Sequence, residues 1–269
     1  MSSPVQRGAV TLVGVPSDAN SSYMRGAARA PRRIREALFS ESANLWTEDG
    51  RDLGAPGILD DLGDLDLGPR GGDFEALEER TQALLREGRR LIALGGDHSI
   101  TYPLVRAHRE LRGPFAILHL DAHPDLYASF DDNPHSHASP FARICEEGLA
   151  TRLVQVGLRT LTGHLREQVE RFGVEVIEMR DWERVGELSF DEPVYLSVDL
   201  DVLDPAFAPG VSHWEPGGAS TRQVLDLIAG LDTELVGADV VELNPRRDPL
   251  GITAMVAGRI VREIAGKMV

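Results

Sequence analysis

The sequence predicts an α/β fold: three layers, αβα, around a mostly parallel central sheet. Three observations carry that reading. Short apolar runs alternate with helical stretches along the chain. Most of the runs are near-continuous rather than alternating, as strands covered on both faces require. Clusters of His and Asp stand directly after several runs, where ligands of open parallel sheets gather.

Each element has its own cause. The first strand is expected over Val10–Val15, followed by a helix over Pro31–Phe39 with Pro31 at a favourable first position. Ser40–Gly72 shows no clear periodicity and reads as loop with short elements. The helix Phe74–Arg89 precedes the strand Leu91–Leu94, and the helix Tyr102–Arg112 precedes the strand Phe115–Leu120. Then come helix Pro140–Glu147, strand Leu153–Val156, helix Gly163–Arg171 and strands Val174–Ile177 and Val194–Val198. Ser220 is placed to cap a helix over Thr221–Leu231, and strand Val236–Leu243 and helix Ala254–Lys267 complete the series. No repeat, low-complexity run or Pro/Gly/Ser linker divides the chain, so one domain over residues 1–269 is expected.

Composition narrows the function. With 42% hydrophobic and 26% charged residues in 269, the chain is globular in type. A net charge of −15 argues against a nucleic-acid surface and suits cationic ligands. The single cysteine, Cys145, excludes an intramolecular disulfide and fits a reducing compartment. The first residues hold no apolar core of a signal, and no apolar stretch approaches about 18 residues. A cytoplasmic protein with no membrane partner is the resulting expectation.

Three runs end in chemistry. After Leu91–Leu94 stands Gly95-Gly96-Asp97-His98-Ser99, and after Phe115–Leu120 stands Asp121-Ala122-His123-Pro124-Asp125. Val194–Val198 leads into Asp199-Leu200-Asp201, then Asp204-Pro205. The period-2 geometry of a strand end puts Asp121 with His123, and Asp199 with Asp201, on one side. A turn after Pro124 returns Asp125 to the same cleft. Carboxylates gathered so closely repel unless cations neutralise them. Two divalent ions on His98, Asp121, His123, Asp125, Asp199 and Asp201 meet that need, because four carboxylates balance two dications. Oxygen donors with two imidazoles and no thiolate favour Mn²⁺ over a structural zinc site. Such a pair, about 3.5–4 Å apart, lowers the pKa of a shared water and presents hydroxide at neutral pH. Taken singly, each motif reads as readily as a turn or a solvated loop. All three at strand ends of one chain do not.

The stretches Leu94–Pro103, Ile117–Asp125 and Ser197–Gly210 resemble the three signatures of the ureohydrolases, the family of arginases, agmatinases and related guanidino-group hydrolases. Gly14–Tyr23, Arg25–Glu36, Val240–Pro245 and Thr253–Ala257 extend the resemblance nearly end to end. Asn133–Ile144, Pro209–Gly218 and Gly237–Glu242 are most similar in wording to plant-type arginases and their bacterial relatives. The resemblance implies an arginase/deacetylase-like fold with two Mn²⁺ per subunit on the six residues above. It implies attack of a bridging hydroxide on the guanidinium carbon, yielding urea and an amine. Asp125 then also holds the hydroxide's proton. His137 protonates the leaving amine, with His135 as second candidate, and Glu242 accepts the guanidinium N–H groups. Ala138 stands where many relatives have glycine, a departure that plant-type arginases share. The implied substrate is a small guanidino cation, and the implied assembly a homo-oligomer, trimer or hexamer.

Arginine and agmatine differ by one α-carboxylate, for which Asn133 and Ser136 are the candidate readers. The plant-type wording favours arginase. Agmatinase and other guanidino-acid hydrolases stay open, with formiminoglutamate hydrolysis further off. A dinuclear metallophosphoesterase also clusters Asp and His, but its Gly-Asn-His-[Asp/Glu] motif is missing from the chain. An inactive binding member of the fold would have lost ligands, whereas all six positions hold competent residues. Among the other polar residues, His119 reads as a packed, hydrogen-bonded neighbour of the ligands and Asp97 as an orienter of the His98 loop. Asp204 shapes the next loop, His213 and Trp214 belong to a pocket wall or a turn, and Cys145 has no base beside it.

Overall fold

The computed structural model describes residues 9–68 and 73–269. In chain order the strands are β1 (Val10–Gly14), β2 (Leu59–Asp64), β3 (Arg90–Leu94), β4 (Ala116–Leu120), β5 (Leu153–Leu158), β6 (Glu175–Glu178), β7 (Val194–Asp199) and β8 (Leu235–Val241). They form one eight-stranded sheet in the order β2-β1-β3-β8-β7-β4-β5-β6. Every neighbouring pair is parallel, so the sheet is wholly rather than mostly parallel. The helices are α1 (Ala30–Leu38), α2 (Phe74–Arg86), α3 (Thr101–Arg112), α4 (Pro140–Glu146), α5 (Gly163–Phe172), α6 (Thr221–Gly230) and α7 (Ile252–Met268).

Two apolar layers sandwich the sheet. On one face Ile34 of α1, Ile228 of α6 and Ile260 of α7 pack with Leu12, Leu196 and Val240. On the other, Leu77 of α2, Leu104 of α3, Phe141 of α4 and Leu165 of α5 pack with Val13, Ile117 and Tyr195. β4, β7 and β8 are buried along their whole length, which is why they read as unbroken apolar runs.

The edges follow a different rule. β2, Leu-Asp-Asp-Leu-Gly-Asp, lies inside the stretch read as loop and is largely exposed. Pairing with β1 makes it a strand, and Arg35 of α1 fastens it, with Nε 2.8 Å from Asp61 and the guanidinium also on Asp64. Acidic residues suit an edge that must not pair further. Beyond β6, Met179–Glu187 forms an unexpected 3-10 stretch on the way to β7.

The strand order creates the site. β3 and β4 follow each other in the chain, yet β8 and β7 lie between them. The loops after these four strands diverge around a crevice at the carboxyl edge of the sheet. At the end of β3 the chain is threaded tightly. Gly95 N–H donates to Val240 O at 2.8 Å, Gly96 N–H to Val15 O at 3.1 Å and Asp97 N–H to Ser17 O at 2.9 Å. A Cβ on Gly96 would sit 1.9 Å from the Ser17 carbonyl oxygen, so only glycine allows this approach. Gly96→Ala is therefore expected to cost about 1–3 kcal/mol, as overpacking changes do, and to displace Asp97 and His98. Urea denaturation and the metal content of the purified variant check this; wild-type values in both would refute the close approach.

Candidate metal centre and cavity

Asp97 fixes the first loop. Its carboxylate accepts from Ser99 N at 3.2 Å, Asn20 N at 3.0 Å and Ser21 Oγ at 3.2 Å, tying a one-turn 3-10 helix, His98–Ile100, to the loop after β1. His98 is fully buried. Its Nε2 lies 2.9 Å from Ser197 Oγ, while Nδ1 stands 3.1, 3.0 and 3.2 Å from carboxylate oxygens of Asp121, Asp125 and Asp199. Nδ1 nevertheless makes no hydrogen bond among the described residues. A buried imidazole nitrogen without a partner, faced by three carboxylates, has the geometry that a cation resolves.

Asp121, at the end of β4, stands between two groups. Oδ2 faces His98, and Oδ1 accepts from His123 N at 2.6 Å. His123 Nδ1 lies 3.4 Å from Asp121 and 3.0 Å from Asp201. One cluster is thus His98 with Asp121, Asp125 and Asp199, and the other His123 with Asp121 and Asp201. Backbone donors orient the carboxylates: Asp201 N to Asp199 at 2.8 Å and Ala122 N to Asp201 at 3.1 Å. All six residues expected as ligands come together, and their donor types suit divalent cations. His119 lies as close to Asp121 but is already committed. Gln155 Nε2 lies 3.0 Å from its Nδ1, so Nε2–H donates to Asp121 Oδ2 at 2.8 Å. It holds the Asp121 carboxylate in place.

The electrostatics fit a cation centre. Burial, then repulsion from Asp201 and Asp121, pushes the Asp199 carboxyl well above its ordinary range. Burial and Asp121 push Asp201 up to about 6.

Above this centre lies a cavity of about 300 Å³. His123, Asp125, Asp199 and Asp201 reach its floor, with His137 and Glu242 beside them. Glu242 follows β8 at φ 65°, and its Oε1 accepts from His98 N at 2.9 Å and lies 2.8 Å from His137 Nδ1. His137 Nε2 is 2.8 Å from Ser22 Oγ. Burial works against a His137 cation, but Glu242 in contact and Asp125 and Asp97 further off outweigh it, raising the imidazole to about 9.

Asn133 and Ser136 do not reach the cavity wall. Asn133 bonds Asn20 Oδ1 at 3.0 Å and His135 N at 2.9 Å, and Ser136 Oγ accepts from Ala138 N at 3.3 Å. They hold the loop that presents His137. His135 packs against Phe74 and Tyr102, outside the cavity. His213 is a wall residue, whereas Trp214 is half exposed and carries Arg247 stacked 3.7 Å from its ring centre. Asp204 accepts from Ala206, Gly217 and Gly218 N–H, shaping its loop as expected.

Sequence reasoning missed the hydroxyls of Ser22, Tyr127, Thr160 and Thr162 and the Glu215 carboxylate on the same wall. It also missed Arg159, whose guanidinium donates to the carbonyls of Asp201 at 2.6 Å and Glu215 at 2.6 Å. The signal was available, because Arg159–Thr162 follow β5 as the clustered His and Asp residues follow β3, β4 and β7.

Fold and site together define an α/β protein whose central strands gather imidazoles and carboxylates into a centre suited to divalent cations. The family model "Arginase family" matches residues 8–266. "Arginase 1, mitochondrial" of Arabidopsis thaliana is 50% identical, covering 97% of this chain and 82% of its own. The solved structure of arginase from Medicago truncatula is 46% identical and superposes with a TM-score of 0.93, over 97% of this chain and 88% of that one. An N(1)-aminopropylagmatine ureohydrolase of Thermus thermophilus is 37% identical, covering 97% and 96% of the two chains. The chain belongs to the arginase family, hydrolases that act on guanidino groups.

One expectation is corrected. Relatives in Arabidopsis thaliana and Oryza sativa are named as mitochondrial, and a second Arabidopsis arginase as chloroplastic/mitochondrial, which overturns the cytoplasmic expectation. A lone cysteine and the lack of long apolar runs describe an organelle interior as well as a cytosol, so composition had no power to separate them. Among the described residues no helix is long and apolar enough to cross a membrane.

Crowded carboxylates predict a response to metal. Chelation is expected to lower Tm and Mn²⁺ to restore it, through binding to the folded state. Asp199→Asn is expected to raise the Tm of the chelated protein, by removing a buried charge and its repulsion, and to reduce the gain on adding Mn²⁺. Calorimetry with and without metal reads both; a chelated variant less stable than chelated wild type would count against a net cost of this carboxylate without a cation.

Proposed function

We propose that the chain is an arginase, hydrolysing L-arginine to L-ornithine and urea at two Mn²⁺ ions held by His98, Asp121, His123, Asp125, Asp199 and Asp201. The observation that carries this reading is the pair of imidazole–carboxylate clusters sharing Asp121 beneath a cavity that also holds His137 and Glu242. Bound there, a pair of divalent ions supplies positive charge and a water ionisable at neutral pH. The rest belongs to the chain. Glu242 has Oε1 committed to His98 N–H and His137, which leaves its second oxygen to accept from a guanidinium. Asp125, on the cavity floor, takes the proton of the attacking water. His137, charged below about 9 by its carboxylate neighbours, donates to the departing amine. Ser22 is exposed and in hydrogen-bond contact with its Nε2, providing a route for the next proton.

Support for arginine over agmatine comes from two sides. Plant arginases are 50% identical to the chain. The hydroxyls of Ser22, Tyr127 and Thr162 on the cavity wall provide donors for an α-carboxylate, in place of Asn133 and Ser136, whereas Thr160 spends its proton on Ala122 O. Glu215, on the same wall, suits an amine in either substrate, so agmatine is the second reading. A homo-oligomer, trimer or hexamer, fits the exposed apolar side chains of Leu250, Ile252 and Met255.

Urea release by the Mn²⁺-loaded protein, with L-arginine and agmatine at equal concentration, decides between the two. A strong preference for arginine is expected; preference for agmatine would overturn the arginase assignment and leave the family intact. His137→Ala is expected to lower kcat by about 10²–10⁴-fold, the range for a positioned acid, with both ions retained. Loss of an ion in that variant would make His137 a ligand. Glu242→Gln is expected to lower kcat/KM, and an unchanged value removes it from the site.

A further inference from the structure

Asp239 is an anomaly by ordinary strand rules. It sits in the middle of β8, fully buried, opposite Ser197 of β7 and Ala93 of β3. No Lys or Arg pairs with it among the described residues. Its partners are three hydroxyls: Tyr195 OH at 2.8 Å and Thr101 Oγ1 at 3.0 Å on Oδ2, and Ser197 Oγ at 2.7 Å on Oδ1. An isolated buried carboxylate is costly, and a neutral amide would make similar contacts more cheaply. Burial raises the Asp239 carboxyl while the three hydroxyl donors favour its ionised form, and that form has a use here.

That use follows from the direction of the hydrogen bonds. An ionised carboxylate only accepts, so Ser197 must spend its single proton on Asp239. Ser197 Oγ can then only accept from His98 Nε2, 2.9 Å away. The His98 proton is fixed on Nε2, and the Nδ1 lone pair is left facing Asp121, Asp125 and Asp199. An amide at position 239 could turn its N–H toward Ser197. Ser197 would be free to donate to Nε2, moving the imidazole proton to Nδ1 and blocking a cation there. His123 has no such chain: its Nε2 faces the half-exposed Glu215 at 3.7 Å on the cavity side.

We propose that Asp239 is a positioning residue for metal binding, acting through Ser197 to set the tautomer of His98 and so to govern one of the two ion positions and not the other. The inference rests on the metal reading given above. Outer partners of this kind are worth about 10–100-fold in metal affinity.

The test is Mn²⁺ titration of the full-length, chelator-stripped protein by calorimetry. Wild type is expected to bind two ions. Asp239→Asn is expected to hold one with unchanged affinity and the other about 10–100-fold more weakly. Ser197→Ala, which leaves the Tyr195 and Thr101 contacts intact, is expected to do the same, and the ion weakened in both should be the one that His98→Ala weakens most. Tyr195→Phe removes a contact to Asp239 without touching the chain to His98, so it should lower Tm and spare both ions. Equal weakening of both ions in Asp239→Asn and Ser197→Ala, or weakening of neither, overturns the proposal while the metal reading stands. A wild-type chain that binds no ion refutes the metal reading, and this inference falls with it.

Discussion

Six carboxylates, Asp97, Asp121, Asp125, Asp199, Asp201 and Glu242, are buried together at the carboxyl edge of β3, β8, β7 and β4. Like charges packed at this density oppose folding unless donors and cations offset them. The surrounding structure can be understood as the answer. Each loop turns so that a backbone N–H meets a carboxylate: His98 N on Glu242, His123 N on Asp121, Asp201 N on Asp199 and Ala122 N on Asp201. The rigid sheet with apolar layers on both faces holds these loops against the repulsion they contain.

Two of the five non-glycine residues with positive φ among the described residues stand at the same place. Asp125 and Glu242 adopt φ of 49° and 65°, a region costly for residues with a Cβ. Such conformations cost roughly 1–3 kcal/mol each and persist where the surroundings over-determine them. Both residues line the cavity, and both face partners on two sides: Asp125 between His98 and the cavity, Glu242 between the His98 loop and His137. Their strain goes into aiming carboxylates that a relaxed turn would point elsewhere.

The sequence revealed the parts of the molecule that local rules govern. Strands buried on both faces are continuous apolar runs, and their ends carry the His and Asp clusters, so seven strands, the helices and the six clustered residues were legible. β2 was not, because an exposed acidic edge has no apolar signature and owes its conformation to β1 and Arg35. Asn133 and Ser136 failed as cavity residues for a related reason. Polar type and proximity to His137 do not say which side of a loop a side chain takes, and Asn20 settles that from a distant segment. Asp239 escaped notice because, in a run such as Val236–Leu243, one acid reads as an interruption until the hydroxyls of β7 and α3 are seen around it.

The acidic edge has a consequence for how copies of the chain can meet. β2 presents Asp60, Asp61 and Asp64, while β6 at the opposite edge presents Glu175 and Glu178, fastened by Arg152 and Arg166. Charged, ion-paired edges of this kind disfavour the route by which open sheets grow into one another, so the eight strands offer no ready place to a ninth.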